Sequence, residues 1–294
     1  MFRCATSSTD REEHLVGTAS TVRAFLLIEA PGPWGVDALN DCRLPEDTKQ
    51  KLARATRDAR VRPLLIRKHG RSGSEHLRVF AGYADPRQPW LETTTLDSPD
   101  QLMELDLDSL GEGRSPGLDR HDDALFLVCT HGKHDACCAE RGRPVAAALS
   151  GRYPDQTWEV SHIGGDRFAG NVLVLPQGLY YGRVDGENAR RIASGHLAGR
   201  LDLDRLRGRC GYGFAVQAAE IFLCRELRRT DLEALRLTRA DRTDQETTAE
   251  FTCDDQAWRV RVGTSVGEPR RLTCHALGEN QPPVHTLVSI TRLS

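Results

Sequence analysis

The chain has 294 residues, of which 39% are hydrophobic and 28% are charged, and its formal net charge is −2. This near-neutral balance excludes the strongly basic surface of most nucleic-acid-binding proteins, while the hydrophobic fraction is sufficient for one large or two ordinary domains. The first residues lack the apolar core of a signal peptide, and no apolar run approaches the roughly 20 residues that span a bilayer. We therefore expect a soluble cytoplasmic protein that binds neither nucleic acid nor membrane.

The sequence contains nine cysteines, which are spread over a long chain without a secretory signal. A disulfide framework is typical of short secreted chains, so this usage favours metal-binding or redox roles. Most of the nine stand singly, and a single cysteine is usually a small buried hydrophobe. The single cysteines, for which we predict no role, are Cys4, Cys42, Cys210, Cys224, Cys253 and Cys274.

The N-terminal part is predicted to form a β-α-β-β unit. Residues 21–28 are rich in β-branched and aromatic side chains, which favours a strand, and a Pro-Gly-Pro turn follows. Residues 44–60 have apolar positions on one side and a proline in the first turn, which is typical of a helix. A second strand is predicted at 61–67, and a turn at 71–74 leads to a hairpin partner at 77–83.

Residues 96–122 are acidic and contain several glycines, which is typical of a linker. Three leucines in this stretch, Leu102, Leu105 and Leu110, could dock it on the core as a short helix. The carboxylates lack the spacing of a calcium-binding loop, so the sequence does not predict a calcium site.

A second β-α-β-β unit follows the acidic stretch. Its predicted elements are a strand at 125–128, a helix at 142–149 with Pro144 early in it, a strand at 157–160, strands at 172–175 and 179–184 around a tight turn at 176–178, and a covering helix at 186–200. The similar order of elements in residues 22–83 and 125–184 suggests an internal duplication.

The C-terminal part is predicted to be helical over 202–236 and to form a small antiparallel sheet over 247–291, where apolar residues alternate with polar ones. We divide the chain into an N-terminal β-α-β-β domain at 1–95, an acidic linker at 96–122, a central domain at 123–200, and a C-terminal helix and antiparallel sheet at 201–294.

The residues that carry chemistry follow two strands of the second unit. Cys129 and Cys138 are separated by eight residues, which is not the C-x-x-C spacing of a thioredoxin-type dithiol. The spacing suits two ligands on a flexible loop after a strand. His162 and Asp166 follow after a gap long enough for a helix and a strand, which would bring a second loop beside the first. Two ligands from each of two adjacent loops is how a protein holds a two-iron cluster.

Several motifs resemble the sucrase/ferredoxin-like family. They are residues 129–138 (CTHGKHDACC), 162–171 (HIGGDRFAGN), 176–181 (PQGLYY), 27–35 (LIEAPGPWG) and 216–220 (VQAAE). The resemblance implies an α/β chain whose central domain is a thioredoxin-like ferredoxin domain carrying a 2Fe-2S cluster. In the family the first loop supplies two cysteines and the second an H-x-x-x-H pair, so the implied ligands are Cys129, Cys138, His162 and the residue at 166.

This chain has Asp166 where the family pattern has histidine. Three interpretations stay open. Asp166 could bind ferric iron through a carboxylate oxygen, Cys137 could supply the fourth bond, or the cluster could be lost or labile. Gly164, Gly165 and Gly170 are expected to provide the left-handed turns of the second loop.

The resemblance implies electron transfer as the function, with a reductase or another oxidoreductase as partner, so we expect a redox carrier more than a substrate-turning enzyme. One alternative is a thiol-dependent oxidoreductase in which Cys137 or Cys138 is an exposed, reactive thiol near Lys133 or His134. Another is a structural zinc site built from His131, His134 and the cysteines. If the site instead holds a cluster, we expect His131 and His134 to support the loop and not to bind the metal.

Overall fold

The structure is a computed structural model that describes residues 2–70 and 76–293, so the turn expected at 71–74 lies outside the described residues. The strands of the large sheet are β1 (Ala24–Glu29), β2 (Arg62–Arg67), β3 (Leu77–Tyr83), β4 (Trp90–Leu96), β5 (Asp119–Arg120), β6 (Leu125–Cys129), β7 (Thr157–Val160), β8 (Val172–Leu175), β9 (Leu179–Tyr181) and β10 (Leu206–Arg209). The small sheet contains β11 (Arg236–Arg242), β12 (Glu246–Cys253), β13 (Gln256–Val266) and β14 (Pro283–Arg292). The helices are α1 (Cys4–Asp10), α2 (Glu46–Asp58), α3 (Leu107–Gly111), α4 (Ala136–Ser150), α5 (Gly186–Leu197) and α6 (Phe214–Leu227).

The two predicted β-α-β-β units have the same topology. In the first, β1 pairs in parallel with β2 and antiparallel with β3, which pairs with β4. In the second, β6 pairs in parallel with β7 and antiparallel with β8, which pairs with β9. This correspondence agrees with the suggested duplication.

Both units lie in one sheet of order β10-β9-β8-β6-β7-β2-β1-β3-β4-β5. They meet where β2 and β7 run antiparallel, with Ile66 opposite Val160 and Arg67 opposite Glu159. The sheet curls, so that the segment before β1 lies next to the end of β10. There the Val22 amide donates to the Cys210 carbonyl at 3.1 Å. The protein is therefore a mixed α/β fold with a large curled sheet and a small antiparallel sheet, and the predicted domain boundaries stay a prediction.

The buried residues form separate layers on the two faces of the large sheet. On one face, strand residues from both units pack against one another, among them Phe25, Leu127 and Tyr180. The opposite face of the second unit packs against α4, α5 and α6, and that of the first unit packs against α2 and α3. None of the helices in the described residues is both long enough and apolar enough to cross a membrane.

Three sequence-based element predictions need correction. Helix α4 begins at Ala136 and not at 142, because the Asp135 side chain accepts the Cys137 amide at 2.9 Å and caps the helix, so Pro144 lies inside the helix. Strand β4 was not predicted, and its fourth and seventh residues, Thr93 and Leu96, are buried. The region 202–236 contains strand β10 as well as α6, since residues 206–209 pair with β9.

The acidic stretch is docked on the core. It contains a 3₁₀-helix (Pro99–Glu104), α3 and the short strand β5. Leu102 and Leu110 are fully buried beside α2 and β1. The docking role expected for these two leucines is therefore confirmed, while Leu105 is only partly buried.

The antiparallel sheet predicted at 247–291 is confirmed by β12, β13 and β14, and β11, which was not predicted, adds a fourth strand before them. In β12 the residues alternate between buried and half-buried, and Phe251 and Cys253 are among those that point inward. Val260 and Val262 of β13 are also fully or almost fully buried. This face packs against α6, which joins the small sheet to the large one.

The buried histidine of α5 makes stability depend on pH. Burial lowers the pKa of His196 to about 4, and the positive charge of Arg209 adds to the effect. The unfolded chain binds this proton near pH 6.5 and the folded chain does not, so stability falls by up to about 3 kcal/mol as the pH drops from 6.5 towards 4. We expect His196→Phe to remove this loss when the free energy of unfolding is measured across that range. The same slope in His196→Phe as in the wild type and in a control substitution at exposed His275 would contradict the assignment.

Candidate metal centre

The first part of the site joins the end of β6 to the start of α4. Cys129 is the last residue of β6 and Cys138 lies in the first turn of α4, and their exposed fractions are 1% and 0%. The expected flexible loop is therefore wrong for Cys138, whose position is fixed by a capped helix. A hydrogen bond between the two thiols lowers the pKa of Cys129 and raises that of Cys138.

The second part of the site is the loop that follows β7. Gly164 and Gly165 have φ angles of 98° and 80°, so the predicted left-handed turns are confirmed at these two positions. Gly170 does not adopt a positive φ. Asp166 begins a 3₁₀-helix (Asp166–Phe168) directly after the turn, which brings its carboxylate back over the start of α4.

The two loops bring the four predicted ligands together around one carboxylate oxygen. Asp166 Oδ1 lies 2.9 Å from His162 Nδ1 and accepts a hydrogen bond from Cys138 Sγ at 3.1 Å. The contact between His162 and Asp166 has the distance of an ion pair but not the alignment of a hydrogen bond. Cys129 completes the group through its contact with Cys138.

The charges of the second loop are set by burial and by contact. Burial acts to raise the pKa of Asp166, but His162 and the Cys138 thiol oppose it, and the pKa of the carboxyl is lowered overall. Burial acts to lower the pKa of His162, yet the neighbouring carboxylate prevails and the pKa is raised. The contact therefore favours the charged form of each group, and a metal that binds an imidazole nitrogen must displace any proton that the nitrogen carries.

The two histidines of the first loop differ in their availability. His131 Nδ1 accepts the His162 amide at 3.3 Å, and its Nε2 lies 2.7 Å from the Gly35 carbonyl, so both ring nitrogens are engaged. The ring of His134 lies against that of His162, tilted by 33° with the ring centroids 3.8 Å apart, and His134 Nε2 lies 3.7 Å from Asp166 Oδ2. The donor atoms of His134, His162 and Asp166 all lie within 4.8 Å of one another. His134 was expected to support its loop, and its proximity to His162 and Asp166 was not predictable because it depends on how the two loops are placed in the fold.

Cys137 and Cys138 lie on different sides of α4. Cys138 packs with Cys129 on the face of the large sheet where strand residues of both units meet. Cys137 packs with Cys4 and Ala169 in a separate cluster. The interpretation in which Cys137 supplies the fourth cluster bond is therefore wrong, because its thiol lies in this other cluster.

A buried arginine and an asparagine hold the two loops in register. The Asn171 carbonyl accepts the Cys129 amide at 3.0 Å, and its side-chain nitrogen donates to the Gly165 carbonyl at 2.8 Å. Arg207, which is only 1% exposed, donates to Asn171 Oδ1 at 2.8 Å and to the Gly164 carbonyl at 3.0 Å. Asn171 and Arg207 therefore orient the two loops relative to each other.

The histidine side of the site faces an open cleft of about 620 Å³ between the two units. The side chains of His134 and His162 are 33% and 28% exposed, while both cysteines are buried. Arg62 lines the cleft and donates to the His162 carbonyl at 2.9 Å, so the first unit supplies one wall. Solvent or a partner can therefore reach the site from the histidines and not from the cysteines.

The packing of α4 on β6 is tight at Gly142. A Cβ atom at this position would lie 2.1 Å from the Cys129 carbonyl oxygen, whereas at Gly151, the residue that directly follows the helix, the nearest atom would be at 3.5 Å. We expect Gly142→Ala to destabilise the fold by about 1–3 kcal/mol and to separate Cys129 from Cys138, although alanine favours helix formation. Thermal unfolding and metal content are compared with Gly151→Ala, and equal stability of the two variants would contradict this account of the packing.

The donor set fits an iron–sulfur cluster in its chemistry. Two thiol groups lie together on one side, and an imidazole and a carboxylate lie together on the other. Three of these four groups become anionic ligands on losing a proton, and the fourth can bind a metal as a neutral imidazole. Thiolates favour iron–sulfur clusters and zinc, and imidazole is a ligand for both iron and zinc.

The chain matches a family model over residues 15–208, and the description of that family is sucrase/ferredoxin-like. Among curated proteins, it is 31% identical over 97 residues to "Altered inheritance of mitochondria protein 32" from Meyerozyma guilliermondii, covering 29% of this chain and 34% of the relative. The protein of the same name from Saccharomyces cerevisiae is 31% identical over 96 residues, covering 28% of this chain and 31% of the relative. The matched segment thus spans about a third of the length of these relatives.

Among solved structures, the chain is similar to a cysteine-to-serine variant of the thioredoxin-like [2Fe-2S] ferredoxin from Aquifex aeolicus. The sequences are 22% identical, and the match covers 29% of this chain and 96% of that one with a TM-score of 0.25.

Proposed function

The chain belongs to the sucrase/ferredoxin-like family, and we propose that it transfers single electrons through a 2Fe-2S cluster bound by Cys129, Cys138, His162 and Asp166. The observation that carries this proposal is the convergence of two thiols, one imidazole and one carboxylate at a buried point between two loops. A bound cluster would supply the one-electron redox chemistry, and the protein supplies the ligands, their charge and the access to them.

The donor pair on the second loop distinguishes this site from one with two histidines. Neutral imidazoles in place of thiolates reduce the negative charge at a cluster and raise its potential, as in Rieske centres at about −150 to +300 mV. Asp166 is an anion, so we expect a potential below that of a site with histidine at the same position.

The exposed edge of the site sets where exchange occurs. His162 is partly exposed at the cleft, so the ring nitrogen that does not bind the cluster could exchange a proton with solvent as the charge of the cluster changes, which would couple electron transfer to proton transfer. We propose that a reductase or another oxidoreductase docks over this cleft, and that the protein acts as a carrier in the cytoplasm.

The function is tested on protein purified without oxygen and reconstituted with iron and sulfide. We expect a reddish-brown protein with a visible absorption spectrum, a paramagnetic resonance signal after reduction, and equal iron and acid-labile sulfide. Cys138→Ser should lose these properties, while Cys42→Ser, a buried cysteine of the first unit, should retain them. Absence of iron and sulfide from the reconstituted wild type would contradict the proposal.

A single cation is the second candidate. It is favoured by the proximity of His134 to His162 and Asp166, because three donors within 4.8 Å suit one zinc ion. In that case the reconstituted protein should be colourless and contain zinc without sulfide.

The thiol-dependent oxidoreductase lacks its physical basis, since Cys137 and Cys138 are 1% and 0% exposed and the pKa of Cys138 is raised.

A further inference from the structure

Four side chains from three distant parts of the chain converge on the far side of α4. Cys4 begins α1, Asp135 and Cys137 lie at the start of α4, and Cys274 lies in the segment between β13 and β14. Their ligand atoms all lie within 4.8 Å of one another. The first three residues are 1%, 0% and 1% exposed, and Cys274 is half-buried.

We propose that Cys4, Cys137, Cys274 and Asp135 bind one zinc ion, at a site separate from the candidate cluster site. A tetrahedral zinc ion with Zn–S bonds of about 2.3 Å places its sulfur ligands about 3.8 Å apart. The observed separations are 3.3 Å between the sulfurs of Cys137 and Cys274 and 3.6 Å between those of Cys274 and Cys4. The group therefore needs only small movements to become a tetrahedral shell.

The carboxylate also fits this geometry. With a Zn–O bond of about 2.0 Å, an oxygen ligand lies about 3.5 Å from a sulfur ligand of the same ion. Asp135 Oδ2 is 3.6 Å from Cys4 Sγ. Its two oxygens accept the amides of Cys137 at 2.9 Å and Cys274 at 2.6 Å, which fixes the orientation of the carboxylate and leaves a further lone pair on each oxygen.

The chemistry of the four groups favours a metal over simple packing. Three thiols and a carboxylate in contact are all acidic, and within the described residues no basic side chain forms an ion pair with Asp135. Thiolate ligands select zinc among the common divalent cations, and three sulfurs with one oxygen suit its tetrahedral preference. A disulfide between Cys137 and Cys274 would use two of the thiols and leave Cys4 against the carboxylate.

The proposed ion gives each member of the tandem cysteine its own site. Cys137 would hold α1 and the C-terminal segment on the start of α4, and Cys138 would face the other site. The role is structural, because the ion would join distant parts of the chain. Cys137 and Cys274 are 137 positions apart in sequence, and Cys4 and Cys274 are farther apart. An adjacent ion pair, Arg3 with Glu140 at 2.6 Å, joins the same two helices.

The test is zinc analysis of the full chain, purified from zinc-supplemented cells under reducing conditions. We expect one zinc per chain, and X-ray absorption at the zinc edge should give about three sulfurs at about 2.3 Å and one lighter ligand. Cys274→Ser is the main variant because Cys274 is the least buried ligand, and it should lower zinc affinity at least about tenfold, as measured by competition with a chelator. Cys253→Ser, at a buried cysteine of β12, is the matched control and should keep its zinc.

Iron and acid-labile sulfide are measured on the same samples, so this site and the candidate cluster site are scored separately. Zinc lost in Cys274→Ser with iron and sulfide unchanged supports the proposal. Zinc retained in Cys274→Ser, a wild type without zinc, or zinc lost only in Cys138→Ser would overturn it. A non-reducing peptide map with a Cys137–Cys274 disulfide in zinc-supplemented protein would also overturn it.

Discussion

Asp166→Ala is expected to lose at least about nine-tenths of its iron and sulfide, whereas Asp166→His should retain both and have a higher reduction potential. Asp166 is 3% exposed and lies within 3.1 Å of both Cys138 Sγ and His162 Nδ1, so alanine removes a donor at the centre of the group. Loss of even a residue that only supports a ligand costs about 10–100-fold in metal affinity, and loss of a ligand should cost at least as much.

The histidine variant tests the charge of the ligand. A neutral imidazole in place of a carboxylate removes one negative charge from the cluster, so we expect the potential to rise by an amount on the order of 100 mV. Potentials are measured by redox titration with resonance detection. Asp166→Asn serves as the matched control, because it keeps the shape of the side chain and removes its charge. If Asp166→Ala keeps the spectrum and the iron content of the wild type, Asp166 is not a ligand.

Arg207→Met is expected to destabilise the protein by about 3 kcal/mol. The guanidinium is fully buried, and burial lowers its pKa to about 10. It donates to two atoms of Thr18, to the Gly164 carbonyl and to Asn171 Oδ1 at distances from 2.5 to 3.2 Å. Methionine fills a similar volume but leaves these buried acceptors without a donor.

The stability of Arg207→Met is compared with that of Arg190→Met, at an exposed arginine of α5. Urea unfolding of metal-free protein gives both free energies, and the exposed substitution should change stability by less than about 0.5 kcal/mol. Arg207→Lys should give an intermediate loss, since an ammonium has three donors but cannot reach acceptors in the geometry of a guanidinium. A stability of Arg207→Met equal to that of Arg190→Met would show that these bonds contribute nothing net.

The elements with strong local signals were predictable from the sequence. The alternation in β12 and β13 predicts strands because its period is two, and the apolar runs of β1 and β6 predict strands because they are short and contain aromatic and β-branched residues. Helix α4 was placed six residues late because Pro144 resembled a first-turn proline, although Asp135 carried a capping signal.

Contacts between distant residues were not predictable in the same way. Cys4 and Cys274 stand singly in sequence, and only the topology of the chain brings them to the start of α4. Arg207 lies in an arginine-rich stretch that resembles a solvated surface, and its burial depends on partners 36 residues away or more, such as Asn171. The position of His134 was not predictable for a related reason, since its ring contact with His162 depends on how the two loops are placed.

The meeting of β2 and β7 has a consequence for how this protein can diverge. Two units of the same topology share one sheet, yet the four predicted ligands all belong to the second unit, while the first supplies Arg62 and Gly35 at the border of the site. The two units thus share a topology but have different roles at the site. Substitutions on the first half can reshape the entrance to the site, and hence the choice of partner, while the ligands of the second half stay unchanged.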